Sequence, residues 1–200
     1  AGIAFYDAPA QAILRDHGVK VEDDIAYFDR DMVMAYLAHA PSQFTWSARN
    51  PTHDVIIGGN HACFAPVVGP PYVVDRDNGR RQSTHQDLIN FLKLTQSSPY
   101  LHCNGAEIVV SSDIPIEYRH LELMYAHFVY GDKPFMGVYH TGETGQDSID
   151  MAKLVFGEGA MAEKHYLHCV VNVSSPRRLD DRMLSLLIAY ARNNQIIDVT

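Results

Sequence analysis

Residues 166–173, with the sequence YLHCVVNV, decide the fold class. This stretch is apolar on both of its faces, which is typical of a strand buried between helices in a parallel sheet. Comparable strands begin near residues 101, 134 and 196, a spacing of about 30 residues, which is the length of one βαβ unit. Helical segments with one apolar face lie between the successive strands. The pattern predicts an α/β protein with parallel strands.

The same pattern favours a barrel of the (β/α)8 TIM type. A glycine-rich dinucleotide fingerprint and a phosphate-binding loop are both absent from the sequence. With a further strand near residues 62–74 the chain has about five strands, whereas a closed barrel needs eight and roughly 250 residues. We therefore predict a partial barrel, the first half of one truncated at its C-terminal side, over residues 61–200. A helical and small β N-terminal region is predicted for residues 1–60.

Local signals refine this scheme. We expect helix and turn in the first forty residues, with Asp29 or Asp31 capping a short helix. From Phe44 the period changes to two, which indicates a small antiparallel excursion or an approach to a larger sheet. Thr84 and Asp87 resemble a capping box before another helix.

Composition excludes several classes of function. The formal net charge is -8 and Lys and Arg are not clustered, so we expect no nucleic-acid partner and no membrane anchor. No apolar run approaches about 20 residues, and residues 1–12 do not resemble a signal peptide. The three cysteines, Cys63, Cys103 and Cys169, are interpreted as buried small hydrophobes in a reducing cytoplasm.

Candidate site residues follow from the geometry of parallel α/β proteins, whose reacting groups lie at the carboxyl ends of strands. Each candidate also has a plainer interpretation, as a satisfied core histidine or, for the glutamate, a solvated loop carboxylate. The candidate substrate-binding residues are Tyr72, His102, Asn104, Tyr139, His140, Glu143 and Asn172. No catalytic residue is assigned. His102, His140 and a carboxylate could be imagined as a metal site, but no His-Glu-x-x-His or His-x-His motif supports it, so none is predicted.

An ordered series of short motifs resembles the trimethylamine methyltransferase (MttB-type) family. The motifs are APSQFT at 40–45, ARNP at 48–51, FAPVVGPP at 64–71, the turn from Asp75 to Arg81, Thr84-x-x-Asp87, DIP at 113–115, RHL at 119–121 and DKPFMG at 132–137. Each motif is weak alone, but the order is specific and covers nearly the whole chain.

The resemblance implies methyl transfer from a trimethylamine- or glycine betaine-type amine to a corrinoid. No cofactor would be bound tightly, because the corrinoid is carried by a separate partner protein. Aromatic faces and a carboxylate would hold the amine, for which Tyr72, Tyr139 and Glu143 are candidates. Family members are longer barrels, and the archetype's pyrrolysine would fall beyond Thr200. We therefore expect residues 1–200 alone to be inactive and the whole protein to be a homo-oligomer.

Two other functions remain open at this point. A non-catalytic binding module for quaternary amines would bind ligand without turnover. A metal-dependent barrel hydrolase using His102 and His140 would hold a tightly bound metal ion.

Overall fold

A computed structural model describes residues 2–200. Its helices are α1 (Ala8–Asp16), α2 (Arg30–Leu37), α3 (His85–Ser97), α4 (Ile116–Tyr130), α5 (Gly142–Phe156), α6 (Glu158–Glu163) and α7 (Asp181–Arg192). Its strands are β1 (Gly2–Phe5), β2 (Lys20–Glu22), β3 (Ile25–Tyr27), β4 (Gln43–Trp46), β5 (Val55–Gly58), β6 (Tyr72–Asp75), β7 (Gly79–Gln82), β8 (Phe135–Met136), β9 (Leu167–Val171), β10 (Arg178–Leu179) and β11 (Ile196–Val199).

A three-stranded parallel sheet in the order β11-β9-β8 lies at the centre of the fold. Helices α5 and α6 connect β8 to β9, and α7 lies between β9 and β11. In β9, Leu167, Cys169 and Val171 are buried in the main core, whereas His168 and Val170 on the opposite face are only half-buried. The parallel pairing confirms the prediction for the strands near residues 134, 166 and 196.

The strand predicted near residue 101 is not regular. Residues 103–109 are buried and lie beside β8, with Asn104 N–H donating to Pro134 O (2.8 Å) and Met136 N–H donating to Gly105 O (2.7 Å). Two features interrupt a full ladder: Pro134 has no N–H to donate, and Gly105 has a φ of +67°. The segment therefore lies alongside β8 and is hydrogen-bonded to it, but it does not form a regular strand.

The strand predicted over residues 62–74 was also wrong for most of its length. Only Tyr72–Asp75 forms a strand, and it pairs antiparallel with β7. Residues 61–70 are irregular because Pro66, Pro70 and Pro71 supply no backbone donors to a ladder. The predicted antiparallel excursion is present as the β4–β5 and β6–β7 hairpins.

The first forty residues differ from the prediction of helix and turn. Helices α1 and α2 are present, and Asp29 caps α2 by accepting the Asp31 N–H. However, β1, β2 and β3 form a sheet with β10, in which β1 runs parallel to β10. These strands have two to four residues each, which is too short for a period-two pattern to show in sequence.

The main core lies between the parallel sheet and helices α3, α4, α5 and α7. Its fully buried side chains include Leu88, Leu92, Met124, Ile149, Leu167, Leu186 and Tyr190. Strands in the described part of the chain form four separate sheets, and no closed barrel is present there. Among residues 2–200, none of the helices combines the length and the apolar character needed to cross a membrane.

Candidate functional site at the carboxyl ends of the parallel strands

The chain leaving β8 is held extended until it reaches Tyr139 and His140. Gly137 N–H donates to His168 O of β9 (3.0 Å), and Val138 N–H donates to Ser148 Oγ (3.0 Å). Gly137 is required here because a Cβ would lie 2.1 Å from the hydroxyl of the buried Tyr190. These contacts fix where Tyr139 and His140 emerge, just before α5.

Three of the predicted site residues come together at this end of the sheet. Tyr139, His140 and Asn172 line a small cavity that Arg182 and Met183 of α7 close from the side. Asn172 Oδ1 accepts a hydrogen bond from Thr200 Oγ1 (2.5 Å), which orients its amide. The cavity has a volume of about 80 Å³, enough for a few heavy atoms.

Glu107 is a buried carboxylate near Tyr139 that the sequence prediction missed. Glu107 is only 7% exposed. Burial raises the pKa of its carboxyl group, and the charge of Arg119 and a hydrogen bond from the Ser111 backbone amide lower it again in part. Tyr139 lies close enough that the Glu107 charge, after burial, raises the pKa of its phenol. The available signal was a charged residue inside the apolar run 106–110, since glutamate is almost never fully buried unless paired.

Several basic side chains lie near His140. Partial burial, and then the charges of Arg182, His120 and Arg119, lower the pKa of the His140 imidazole. Arg119 Nη2 donates to Ile114 O (3.0 Å), while its buried Nε has no hydrogen-bond partner within residues 2–200. Asp147 Oδ2 lies 2.8 Å from His120 Nε2. Arg119 Nε is thus a buried donor without a partner among these residues, whereas Arg182 Nη2 lies 3.8 Å from Asp180 Oδ2.

The region is bipolar in the sense that it holds charges of both signs. Glu107 and Tyr139 supply an acidic and an aromatic group, and Arg119 and Arg182 supply cationic groups, with Arg119 near enough to Glu107 for its charge to lower the Glu107 pKa. Such a region can bind and orient a small molecule that carries a cation at one end and an anion at the other.

His102 and Asn104 lie elsewhere. The Asn104 backbone pairs with Pro134 at the amino end of β8, about 16 Å along the strand direction from Tyr139. The Asn104 side chain is fully buried, and its Nδ2 lies against Gly131. His102 stacks on Phe64 at 5.6 Å and its Nδ1 accepts the Phe64 N–H (3.0 Å).

Tyr72 and Glu143 are also separated from the cavity. The guanidinium of Arg80 covers one face of the Tyr72 ring at 3.8 Å, and Tyr72 lines a different cavity, of about 390 Å³, with Pro66 and Phe91. Glu143 is exposed in the first turn of α5, where a carboxylate complements the helix dipole.

Metal-ligating side chains do not cluster in the described range 2–200. No group of three or more His, Cys, Asp and Glu is arranged to hold a metal ion there. His102 and His140, the pair on which the hydrolase hypothesis depends, line different cavities.

Comparisons with known proteins point to one family. The profile of trimethylamine methyltransferase (MTTB) matches residues 1–200. The chain is 38% identical over 197 residues to a glycine betaine methyltransferase of Desulfitobacterium hafniense (strain Y51), covering 98% of this chain and 41% of that protein. It is 24% identical over 214 residues to an L-carnitine:corrinoid methyltransferase of Eubacterium limosum, covering 100% of this chain and 42% of that protein. The chain thus spans about two fifths of the length of these relatives.

Proposed function

The chain belongs to the trimethylamine methyltransferase family, and from this premise we propose that the whole protein moves a methyl group from a methylated amine to a corrinoid on a partner protein. The names of the two relatives support a methylated amine as donor, and one names a corrinoid as acceptor. The observation that carries the proposal is the bipolar site at the carboxyl ends of the parallel strands, where enzymes of this architecture place their chemistry.

The acidic, aromatic and cationic groups of the site favour a betaine-type substrate. Glu107 offers a negative charge and Tyr139 an aromatic face, which together attract a quaternary ammonium group. Arg119 and Arg182 offer charged donors suited to a carboxylate. Glycine betaine and L-carnitine, the substrates in the relatives' names, both carry these two groups, whereas trimethylamine lacks the carboxylate.

In this proposal the residues of the chain position the donor and exclude water. Anchoring the carboxylate at Arg119 and Arg182 fixes the direction of one N–CH₃ bond, and the electron pair of that bond stays on nitrogen when the methyl group leaves. A corrinoid on the partner protein supplies the nucleophilic cobalt that accepts the methyl group. The cavity of about 80 Å³ is too small to enclose a corrinoid or a whole betaine, so in this proposal the rest of the full-length protein supplies further lining.

We also propose that residues 61–200 form the first half of a (β/α)8 barrel, with residues 1–60 as an N-terminal helical and β-hairpin region that pairs with it through β1 and β10. The parallel order β11-β9-β8 with intervening helices supports this, as does the greater length of the relatives. A structure of the full-length gene product tests this. A parallel strand beside β11 on its open side would support the half-barrel, and an antiparallel strand there would contradict it.

A methyl-transfer assay tests the function. The full-length gene product is mixed with reduced corrinoid protein and with glycine betaine, L-carnitine or trimethylamine, and methylated corrinoid is followed by absorbance. We expect turnover with at least one of these amines. Binding without turnover would indicate a binding module instead, and neither binding nor turnover with any methylated amine would overturn the proposal.

The proposed contact between Arg119 and the substrate carboxylate has its own test. Arg119→Met should raise KM for a betaine about tenfold, equivalent to about 1.4 kcal/mol, because one charged contact to the carboxylate is lost. Arg192→Met, at the exposed end of α7, is the matched control. An unchanged KM in Arg119→Met would show that the carboxylate binds elsewhere, while leaving methyl transfer itself in place.

A further inference from the structure

Two cysteines that are 40 positions apart in the chain meet on the inner side of the parallel sheet. Cys63 lies in the irregular segment 61–70, and Cys103 precedes the turn at Gly105. Both pack in one apolar cluster with Trp46 and Val55. Both also line one cavity of about 440 Å³.

The backbone fixes this arrangement from both segments. His102 N–H donates to Phe64 O (2.9 Å), and Phe64 N–H donates to His102 Nδ1 (3.0 Å), so the residues next to the two cysteines are tied together. The Cys63 and Cys103 side chains therefore lie on the wall of the same cavity, near enough for each thiol to shift the pKa of the other. Both are free thiols, as is Cys169, which is fully buried in the main core away from this cavity.

The two thiols differ in the way that paired redox cysteines differ. Cys63 is half-buried, and the neighbouring Cys103 lowers the pKa of its thiol. Cys103 is 1% exposed, and the neighbouring Cys63, together with burial, raises the pKa of its thiol. An accessible thiol with lowered pKa attacks first, and an adjacent buried thiol resolves the product. By contrast, burial raises the pKa of Cys169 to about 12.

We propose that Cys63 and Cys103 are a redox-responsive pair that a small-molecule disulfide, such as oxidised glutathione, converts into an intrachain disulfide. The Cys63 thiolate attacks one glutathione sulfur, forming a mixed disulfide and releasing one glutathione thiolate, which takes up the Cys63 proton. Cys103 then loses its proton, attacks Cys63 Sγ and releases the second glutathione. Two protein thiols are oxidised and one glutathione disulfide is reduced to two thiols.

The disulfide would act on the candidate site through the segment that carries Cys63. Gly69 of that segment donates its N–H to the backbone carbonyl of Glu107 (2.8 Å). Closing a loop of about 40 residues restricts the unfolded chain and should raise Tm by about 5 °C or more. Oxidation therefore immobilises the segment that supports the buried carboxylate.

Thiol mapping of the full-length gene product tests the pair. The protein is incubated with oxidised glutathione, quenched with an alkylating reagent and digested without reduction. We expect a cross-linked peptide joining Cys63 and Cys103 that dithiothreitol releases, with Cys169 alkylated as a free thiol. Cys103→Ser should instead accumulate glutathione on Cys63, because the resolving thiol is gone. Cys63→Ser should show neither product.

Two results would overturn the proposal. One is a wild-type protein that holds glutathione on Cys63 without forming the cross-link, and the other is a wild-type protein in which neither thiol reacts while its circular dichroism stays native. If a serine variant fails to fold, phenylarsine oxide, which bridges two neighbouring thiols, replaces it as a probe of the wild type. Stoichiometric arsenical binding that blocks both cysteines supports the pair, and absence of binding contradicts it. None of these readouts depends on methyl transfer.

Discussion

Glu107 differs from the exposed carboxylates of the chain because it lies in a buried segment next to Tyr139 and Arg119. If it receives the ammonium group, Glu107→Gln should raise KM for the methylated amine about tenfold, equivalent to about 1.4 kcal/mol. Burial raises the Glu107 pKa, so the ammonium-binding charge should appear only as pH rises through a value above the ordinary 4.5. Measurements of KM from pH 4 to 8 check both points.

The matched control for Glu107 is Glu117→Gln, which removes an exposed carboxylate from the first turn of α4. It should leave KM and its pH profile unchanged. If Glu107→Gln behaves like this control, the carboxylate has a structural role and the ammonium group binds elsewhere.

His127 makes folding stability depend on acid. The ring is fully buried, stacks on Phe135 at 4.6 Å and donates from Nε2 to Ala106 O (3.1 Å), and burial lowers its pKa from 6.5 to about 4. Between these two values the unfolded state binds the extra proton, so the free energy of unfolding rises with pH across this window. The contribution is about 3 kcal/mol between pH 4 and pH 6.5.

Urea denaturation of His127→Phe, measured from pH 4 to 7, checks this linkage. The variant should be about 1 kcal/mol less stable at pH 7 because Ala106 O loses its donor, but its stability should fall less steeply with acid. His39→Gln, an exposed histidine, should keep the wild-type slope. A His127→Phe curve parallel to that of wild type would contradict the assignment.

At the scale of elements, Arg81 joins the β6–β7 hairpin to the start of α3. Its guanidinium contacts Asp87 through Nη1 (2.6 Å) and Nη2 (2.8 Å) and contacts Asp75 through Nε (2.8 Å). Asp87 is the N3 carboxylate of the Thr84 capping box, and the Arg81 contacts hold the pKa of Asp87 well below its usual 3.8. One side chain therefore couples a hairpin to a helix cap.

Arg81→Met should lower the free energy of unfolding at pH 7, because Asp87 and Asp75 lose a charged donor, with the effect reduced by solvent screening of the exposed guanidinium. Because a lowered carboxyl pKa stabilises only above its unfolded value, wild type should lose this advantage as pH falls below 3.8. Denaturation curves of both proteins at pH 7 and pH 3 check this, with Arg76→Met in the adjacent exposed turn as control. If the free energies of unfolding of wild type and Arg81→Met differ by the same amount at both pH values, the charge of Arg81 is not involved.

The same elements show what sequence reasoning could recover. The caps at Asp29 and Thr84 were predictable, because a side chain that caps a helix is local to the backbone it satisfies. β10 was not, because a strand of two residues depends on a parallel pairing with β1, which lies at the other end of the chain. In the site, Tyr139, His140 and Asn172 followed from strand ends, whereas Glu107 and Arg119 required the fold to bring them together.

For the whole molecule, the parallel sheet has two unequal sides. One face of β9 packs in the main core through Leu167 and Val171, while the other, with His168 and Met136 of β8, lines the cavity of about 440 Å³ beneath the β4–β5 hairpin. Within the described residues β11 pairs only with β9, so its other side offers free backbone groups. A strand edge of this kind invites pairing with further chain.

This geometry predicts how residues 1–200 behave when produced alone. The cavity of about 80 Å³ holds only part of a betaine, and the sheet is open at β11, so a protein of these residues should catalyse no methyl transfer to a corrinoid protein. The full-length gene product should be active with the same reagents. Its relatives are more than twice as long as the stretch matched here, which leaves room for the remaining strands.

Parallel assays of the two proteins, together with light scattering, check this expectation. The short protein should also self-associate as its concentration rises. A second copy can cover the exposed edge of β11 and the cavity of about 440 Å³ next to it. Full activity in residues 1–200 would show that the site is complete as it stands, and would remove the need for a second half of the barrel to hold the substrate.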